Sequence, residues 1–354
     1  IEGGDMFRSW RGGTYSAQFG AYNRNKRSVT LDVRSEEGRE ILLKLVETAD
    51  VLLENFRPGV MDRLNLSIET LRERNPKLIY CSITGFGEDG PYEKRPAYDA
   101  VAQSLSGIAS LFLDPENPKV TGPTIGDNMT GFNACYGILA ALYERERGGP
   151  TRSLSVNMLE SSIAFIPDPY ANLTQQNIQP GPTARARASQ SHAMTCSDGK
   201  LLAVHLSSPE KFWQGVTAAF HVEHMRDDPR YAGRMERIEH YFDMTAELKK
   251  AAATKPRDYW MPRLEENDVP YAPINTLPEV FDDAQVKHLD TFYEVEHPTE
   301  GKQTFARRPV YIDGSRDDQP MVPPPTLSEH TDEVLAEIGF DAEAVKDLRE
   351  RGVL

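Results

Sequence analysis

Between residues 29 and 84 short apolar runs alternate with capped helical stretches, and that alternation leaves few folds open. Val29 to Val33 reads as a strand. Ser35 is placed to cap a helix, with Glu36 and Glu37 in the first turn, where the helix dipole favours acids. Ile41, Leu42, Leu45 and Val46 then recur at helical spacing. Val51 to Leu53 is the next apolar run. Ser67 caps a second helix that must stop before Pro76, and Leu78 to Ile83 is again strand-like. Strands separated by helices of this length need crossover connections, hence a parallel sheet. This part of the chain is expected to be α/β.

Further on, Ala100 to Ala109 turns helical and a Pro-rich stretch follows (Pro115, Pro118, Pro123). Asp127 opens a long helix through Phe132, Tyr136, Leu139, Leu142 and Tyr143, ended by Gly148-Gly149-Pro150. Ser153 to Val156 reads as a strand and Leu159 to Phe165 as a helix. Residues 175–198 are polar and irregular, the pattern of a crossover between domains. A strand at Leu201 to His205 and helices near 209–220 and 244–266 suggest a smaller α/β unit. Residues 296–327, rich in proline and charge, look like an extended return segment, and Val334, Leu335 and Ile338 mark the last helix.

Composition narrows the function. With 40 Lys and Arg against 54 Asp and Glu, the net charge is −14 over 354 residues. So acidic a chain is a poor partner for nucleic acid or an anionic membrane. No apolar stretch approaches the roughly 18 residues a membrane span needs. Cys81, Cys135 and Cys196 lie far apart with no C-x-x-C, which speaks against a disulfide scaffold or a thiolate metal site. The reading is a soluble, intracellular protein, cytoplasmic by expectation. The chain opens at Ile1-Glu2-Gly3-Gly4-Asp5 without Met, so a preceding segment is expected.

Two motifs invite a function and fail on context. Gly85-Phe86-Gly87-Glu88-Asp89-Gly90 matches G-x-G-x-x-G after a strand, but Pro91-Tyr92 stands where a dinucleotide motif needs a helix. It reads as a turn or active-site loop. His221-x-x-His224 lacks a third ligand at a convincing spacing and reads as two solvated histidines. No G-x-S-x-G elbow and no P-loop is present.

Asp127 stands out, in Thr124-Ile125-Gly126-Asp127-Asn128-Met129-Thr130-Gly131. Two readings compete. Asp is a preferred N-cap, worth about 1 kcal/mol, and the residues alone favour that role. Alternatively, flanking glycines and helix N-terminal N–H groups hold a nucleophilic carboxylate against an acyl group.

A set of segments in one order tips the balance. Asn25-Lys26-Arg27-Ser28 with Leu31-Asp32 comes first, then Ala49-Asp50-Val51-Leu52-Leu53-Glu54-Asn55-Phe56-Arg57-Pro58-Gly59. Tyr98-Asp99-Ala100-Val101-Ala102-Gln103 and Gly126-Asp127 follow. Asp198-Gly199, Val269-Pro270-Tyr271-Ala272-Pro273-Ile274-Asn275 and Glu329-His330-Thr331-Asp332-Glu333-Val334-Leu335 complete the set. Together they resemble the family III CoA-transferases, the CaiB/BaiF group with formyl-CoA and carnitine CoA-transferases, over the whole chain.

The resemblance implies a large Rossmann-like α/β domain with a parallel sheet, built from both chain ends, plus a smaller α/β domain and an interlocked homodimer. The expected spans are 1–185 for the large CoA-binding and catalytic domain, 190–290 for the small domain and 291–354 for the return segment. Members begin with a further strand and helix, so this chain is expected to lack that first unit. Asp127 matches the nucleophile, which would carry an aspartyl-CoA thioester, and Asp99 would lie beside it. Leu31, Asp32, Val33 and Arg34, then Asn55, Phe56 and Arg57, Arg63, and Pro96, Ala97, Tyr98 and Asp99 match segments lining the CoA site. Arg34, Arg57 and Arg63 offer forked donors to phosphate, though each taken singly is an ordinary surface charge. Phe56 would lie against apolar CoA or pack beside its turn, and Tyr98 would donate a hydrogen bond or pack. The partners implied are an acyl-CoA, a carboxylic acid and a second copy; no permanently bound cofactor or metal is expected.

Departures shape the expectation. A basic residue common after the opening Ile-Glu is Gly3 here. Oxalate-using members carry a glycine run before the small domain, where this chain has Ala184-Arg185-Ala186-Arg187-Ala188-Ser189, which argues against oxalate or formate as the acid. Two rivals share the fold: an α-methylacyl-CoA racemase and a non-catalytic CoA-binding relative. Racemases carry His where Tyr98 stands, and Tyr is a far weaker base at neutral pH.

Overall fold

Val51–Glu54 (β1), Ile79–Thr84 (β2) and Ser153–Asn157 (β3) pair in parallel, in that order, in a computed structural model that describes residues 3–10, 12–207, 209–316 and 320–354. Ile1 and Glu2 of the chain opening, and residues 317–319 of the expected return segment, lie outside the described residues. β2 is the middle strand, and Ile79 and Cys81 on it are fully buried, as a parallel strand covered by helices requires. The helix Glu36–Thr48 starts where Ser35 Oγ accepts the Gly38 N–H at 3.0 Å, and Ser67 caps Ile68–Arg74 likewise. Leu43, Val46 and Leu71 from these helices close a core with Met61, Leu66 and Leu78. Each fully buried leucine contributes about 1.5–3 kcal/mol.

Val29–Val33 is not a strand. Its backbone is held by the C-terminal region instead: Thr30 N donates to Thr331 Oγ1 (3.2 Å), and Asp32 N to the Val353 carbonyl (2.8 Å). Val29 and Leu31 pack on a cluster of Ile41, Leu335, Val345, Leu348 and Val353. The alternating pattern reports an extended, half-buried segment; what pairs with it is decided by residues three hundred positions on. Arg27 reinforces the clasp, reaching Glu333 at 2.9 Å and Glu337 at 2.6 Å.

In the middle of the chain Ser191–Thr195 (β4), Leu201–His205 (β5) and Tyr271–Pro273 (β6) form an antiparallel sheet. Helices Glu210–Ala219, Tyr241–Ala252 and Arg257–Glu266 supply Trp213, Leu248, Trp260 and Leu264 to its core. The stretch 244–266 is thus two helices, the second starting after Pro256. The stretch 175–198 is more ordered than its polarity suggests, holding the Ala184–Ser189 helix and β4. On β4 the buried His192 stacks on Tyr241 (4.7 Å) and bonds Thr245 at 2.7 Å. Burial, then the Lys249 charge, holds it neutral with a pKa near 3. His221 sits in a turn with φ 56° rather than on a helix, and both it and His224 are exposed.

The return segment is not wholly extended. Phe292–His297 (β7) and Gly301–Ala306 (β8) make an antiparallel hairpin. Nor is Thr331–Glu337 the last helix: Ala342–Glu350 follows, capped by Asp341.

The chain divides into two compact units, one of residues 1–102, 125–162 and 284–354, the other of 103–124 and 163–283. The first is therefore built from both ends of the chain. Segments 103–124 and 163–183 belong to the second unit.

Candidate functional site

Because β1, β2 and β3 are parallel, their carboxyl ends share one edge, the place where ligands meet sheets of this kind. Three segments, two of them candidates from the sequence, leave that edge directly. Asn55-Phe56-Arg57 follows β1, the Gly85–Gly90 loop follows β2, and the Met158–Phe165 helix follows β3 without a break.

The β1 exit is fixed by a residue the sequence reading quoted but did not single out. Glu54 is buried; its carboxylate accepts the Phe56 N–H at 2.7 Å and the Tyr80 hydroxyl at 3.0 Å. Burial and then the Glu54 charge push the Tyr80 hydroxyl pKa up. Held this way, Asn55, Phe56 and Arg57 face solvent, and Phe56 is 48% exposed rather than packed beside its turn. Arg63, on the short Val60–Arg63 helix, is exposed too. Neither Arg57 nor Arg63 makes an ion pair among the described residues, which leaves both forks available to an anion.

Arg34 is engaged. Its Nε and Nη2 meet the two Asp32 oxygens, each at 2.8 Å, and the paired guanidinium with the Arg34 backbone N–H lowers the Asp32 pKa to about 2. Leu31 and Val33 are half-buried and pack against the two cores already described.

The β2 exit turns sharply and makes no helix. Gly87 and Gly90 have φ of 105° and 89°, and the loop carries Phe86 edge-on to Tyr92 with Arg95 4.9 Å over the Tyr92 ring. A dinucleotide cradle is excluded and a loop results, as the sequence implied. Gly85 is needed here, since a Cβ would overlap that of Ala97. This contact brings Pro96, Ala97 and Tyr98 to the loop, with Tyr98 63% exposed and therefore not packed.

Asp99 begins the Asp99–Leu105 helix, and Asp127 lies one residue inside Gly126–Glu146. The structure overturns the cap reading of Asp127. Ile125 occupies the cap position, the helix starting one residue earlier than its pattern suggests, and Asp127 is in the first turn. The Asp127 N–H donates to Asp99 Oδ1 at 3.2 Å, so Asp99 satisfies a helix-end donor and the Asp127 carboxylate is left for other work. Partial desolvation of the carboxylate and then the Asp99 charge raise the Asp127 pKa, outweighing the favourable helix dipole, although the residue as a whole is exposed. Gly126 permits the approach: a Cβ there would lie 3.3 Å from Asp99 Oδ1 and 3.2 Å from Ser162 Oγ. Gly131 has open space around it and serves no such purpose.

Of the sequence-derived residues, then, Asp99 with Asp127, Ala97 with Gly85, and Asp32 with Arg34 are brought together. Glu54 and Ser162 were missed; Glu54 announced itself only by preceding Asn55-Phe56-Arg57, and Ser162 gave no signal. No group of three His, Cys, Asp or Glu able to hold a metal occurs among the described residues, and no described helix is long and apolar enough to cross a membrane.

Known proteins resemble the chain over nearly all of its length. The sequence model of CoA-transferase family III matches residues 1–331. The chain is 31% identical to a formyl-CoA:oxalate CoA-transferase of Bradyrhizobium diazoefficiens, over 96% of this chain and 85% of that protein. It is also 31% identical to a succinyl-CoA:glutarate CoA-transferase of Mus musculus, over 99% and 81%. A crystal structure of a CaiB/BaiF family protein from Brucella suis superposes with a TM-score of 0.80 at 30% identity, over 95% of this chain and 90% of that one.

Proposed function

The chain belongs to CoA-transferase family III, and from that premise we propose that Asp127 is the nucleophile that moves CoA from an acyl-CoA to a free carboxylic acid. The observation that carries the reading is the Asp127 carboxylate itself, freed from capping and held above its ordinary pKa beside Asp99. Raised basicity makes a carboxylate a stronger nucleophile.

The steps balance without an external oxidant or metal. An Asp127 oxygen attacks the thioester carbonyl, the C–S bond breaks, and an acyl-aspartyl anhydride and CoA thiolate result. The thiolate attacks the Asp127 carbonyl, leaving an aspartyl-CoA thioester and releasing the first acid. The acceptor carboxylate then runs the sequence in reverse. Backbone N–H groups at the start of Gly126–Glu146, other than that of Asp127 already given to Asp99, would stabilise the tetrahedral oxyanions. Arg57 and Arg63, unpaired and exposed, suit the CoA phosphates, with Arg34 exchanging Asp32 for phosphate; Asn55, Phe56 and the Pro96–Tyr98 backbone complete the lining. The Ala184–Ser189 helix, where oxalate-using members are expected to carry a glycine run, speaks against oxalate or formate and leaves the acid itself unassigned.

One experiment tests this: a panel of acyl-CoAs and acids incubated with the protein in heavy water, new thioesters being read by mass. Transfer without deuterium at Cα of a 2-methylacyl group is expected, because transfer never breaks that C–H bond. Enzyme-dependent deuterium without transfer would instead mean racemisation.

We also infer a homodimer with interlocked chains. Phe132, Tyr136, Leu139 and Tyr143 form a stripe on Gly126–Glu146, each 61–69% exposed, an apolar face that a second copy would cover. Light scattering at micromolar concentration should give the dimer mass; a monomer mass would remove the claim.

A further inference from the structure

Ser162 sits in the Met158–Phe165 helix, fully buried, with no hydrogen-bond partner for its Oγ. It does not even bond back to a carbonyl of its own helix, the usual resort of a helical serine. A hydroxyl left so weighs against the fold. A serine that only packs would be better replaced by alanine.

Its place gives the hydroxyl a use. Gly126 has no Cβ, and the position one would take lies 3.2 Å from Ser162 Oγ and 3.3 Å from Asp99 Oδ1. Both oxygens thus face one gap made by a glycine. The same Asp99 oxygen accepts the Asp127 N–H. We propose that Ser162 is a positioning residue: with substrate bound, its hydroxyl donates across the Gly126 gap to the Asp99 carboxylate and steadies it against Asp127. The proton stays on Ser162 throughout, and no bond beyond the hydrogen bond is made. The inference rests on the reading of Asp99 and Asp127 as the reacting pair.

The test compares the wild type, Ser162→Ala, Gly126→Ala and the double variant, by melting of the free protein, by steady-state kinetics with an acyl-CoA and acid pair, and by carbon-13 NMR titration of aspartate carboxyls with saturating CoA bound. Ser162→Ala should melt at or above the wild-type temperature, since an unpaired buried hydroxyl is gone. Its kcat should fall about 10- to 100-fold with the acyl-CoA KM within about twofold, the mark of misplaced rather than missing chemistry. Proton uptake by the Asp99–Asp127 pair should move to higher pH, because a donor to an ionised carboxylate favours ionisation. Gly126→Ala puts a methyl in the gap, so its effect and that of Ser162→Ala should not add.

Wild-type kcat with an unmoved titration in Ser162→Ala would overturn the proposal, as would a lowered melting temperature with kcat unchanged. The carboxyl titration needs no turnover, so the two readings fail separately. A titration that moves in a protein that transfers no CoA sinks the transferase reading alone. Transfer with a static titration sinks only the role of Ser162.

Discussion

Asp127→Asn should fold, bind CoA and lose transfer by about 10⁴-fold or more, the scale seen when a covalent nucleophile is removed. The amide keeps the shape of the side chain and cannot form the anhydride. Stability sharpens the test. In the folded protein the Asp127 pKa is raised by burial and by Asp99, so the native state holds this proton more tightly than the unfolded chain. Its contribution to stability is therefore full below the ordinary carboxylate pKa of about 3.9, and is lost as pH rises through the folded value. At pH 7 the ionised group weighs against the fold. Asp127→Asn should then melt at or slightly above the wild type at pH 7, with the gap closing as pH falls toward about 4. Asp127→Ala should lose transfer equally and no cap, because Ile125 holds the cap position. Melting curves at several pH values and a thioester-exchange assay check both halves. If the asparagine variant keeps wild-type rates, Asp127 is not the nucleophile.

The second large effect belongs to Asp99, whose carboxylate accepts the Asp127 N–H and whose charge raises the Asp127 pKa. Asp99→Asn keeps an acceptor but removes the charge. The Asp127 pKa should fall toward its ordinary value, and the acid limb of kcat/KM should shift to lower pH. Asp99→Ala loses the acceptor as well, and kcat should drop by about 100-fold or more as the first turn loosens around the nucleophile. Full pH–rate profiles for both variants read the two roles apart. An acid limb that does not move in Asp99→Asn would show that Asp99 does not tune Asp127.

The βα alternation was legible because its signals are local. Ser35 and Ser67 cap where the sequence places them, and Leu78–Ile83 is the central strand to within a residue. Failures came where distant residues decide. Val29–Val33 has a strand's alternation, yet its backbone partners are Thr331 and Val353. β4 was hidden because His192 reads as polar, and only the Tyr241 ring and Thr245 hydroxyl make its burial tolerable. Within the candidate site, residue types and motif order picked out Asp99 and Asp127, while the division of labour between them was invisible. Which of the two ends up satisfying a helix-end N–H depends on Gly126 already being helical, and no pattern in the run Thr124–Gly131 encodes that one-residue offset.

The unit that carries both carboxylates draws its last segment from residues 284–354, after the whole of 163–283 has been made. On a ribosome adding about 5–20 residues per second, the order of completion is therefore reversed. The middle of the chain can finish its core around Trp213 and Trp260 while Ile41 still waits for Leu335, Val345 and Leu348. For several seconds the nascent β1–β3 sheet has one helix face without its cover. A chain stalled or cut before the Thr331–Glu337 helix keeps that face exposed, so damage near the carboxyl terminus would present itself to the cell as a folding defect of the beginning of the chain.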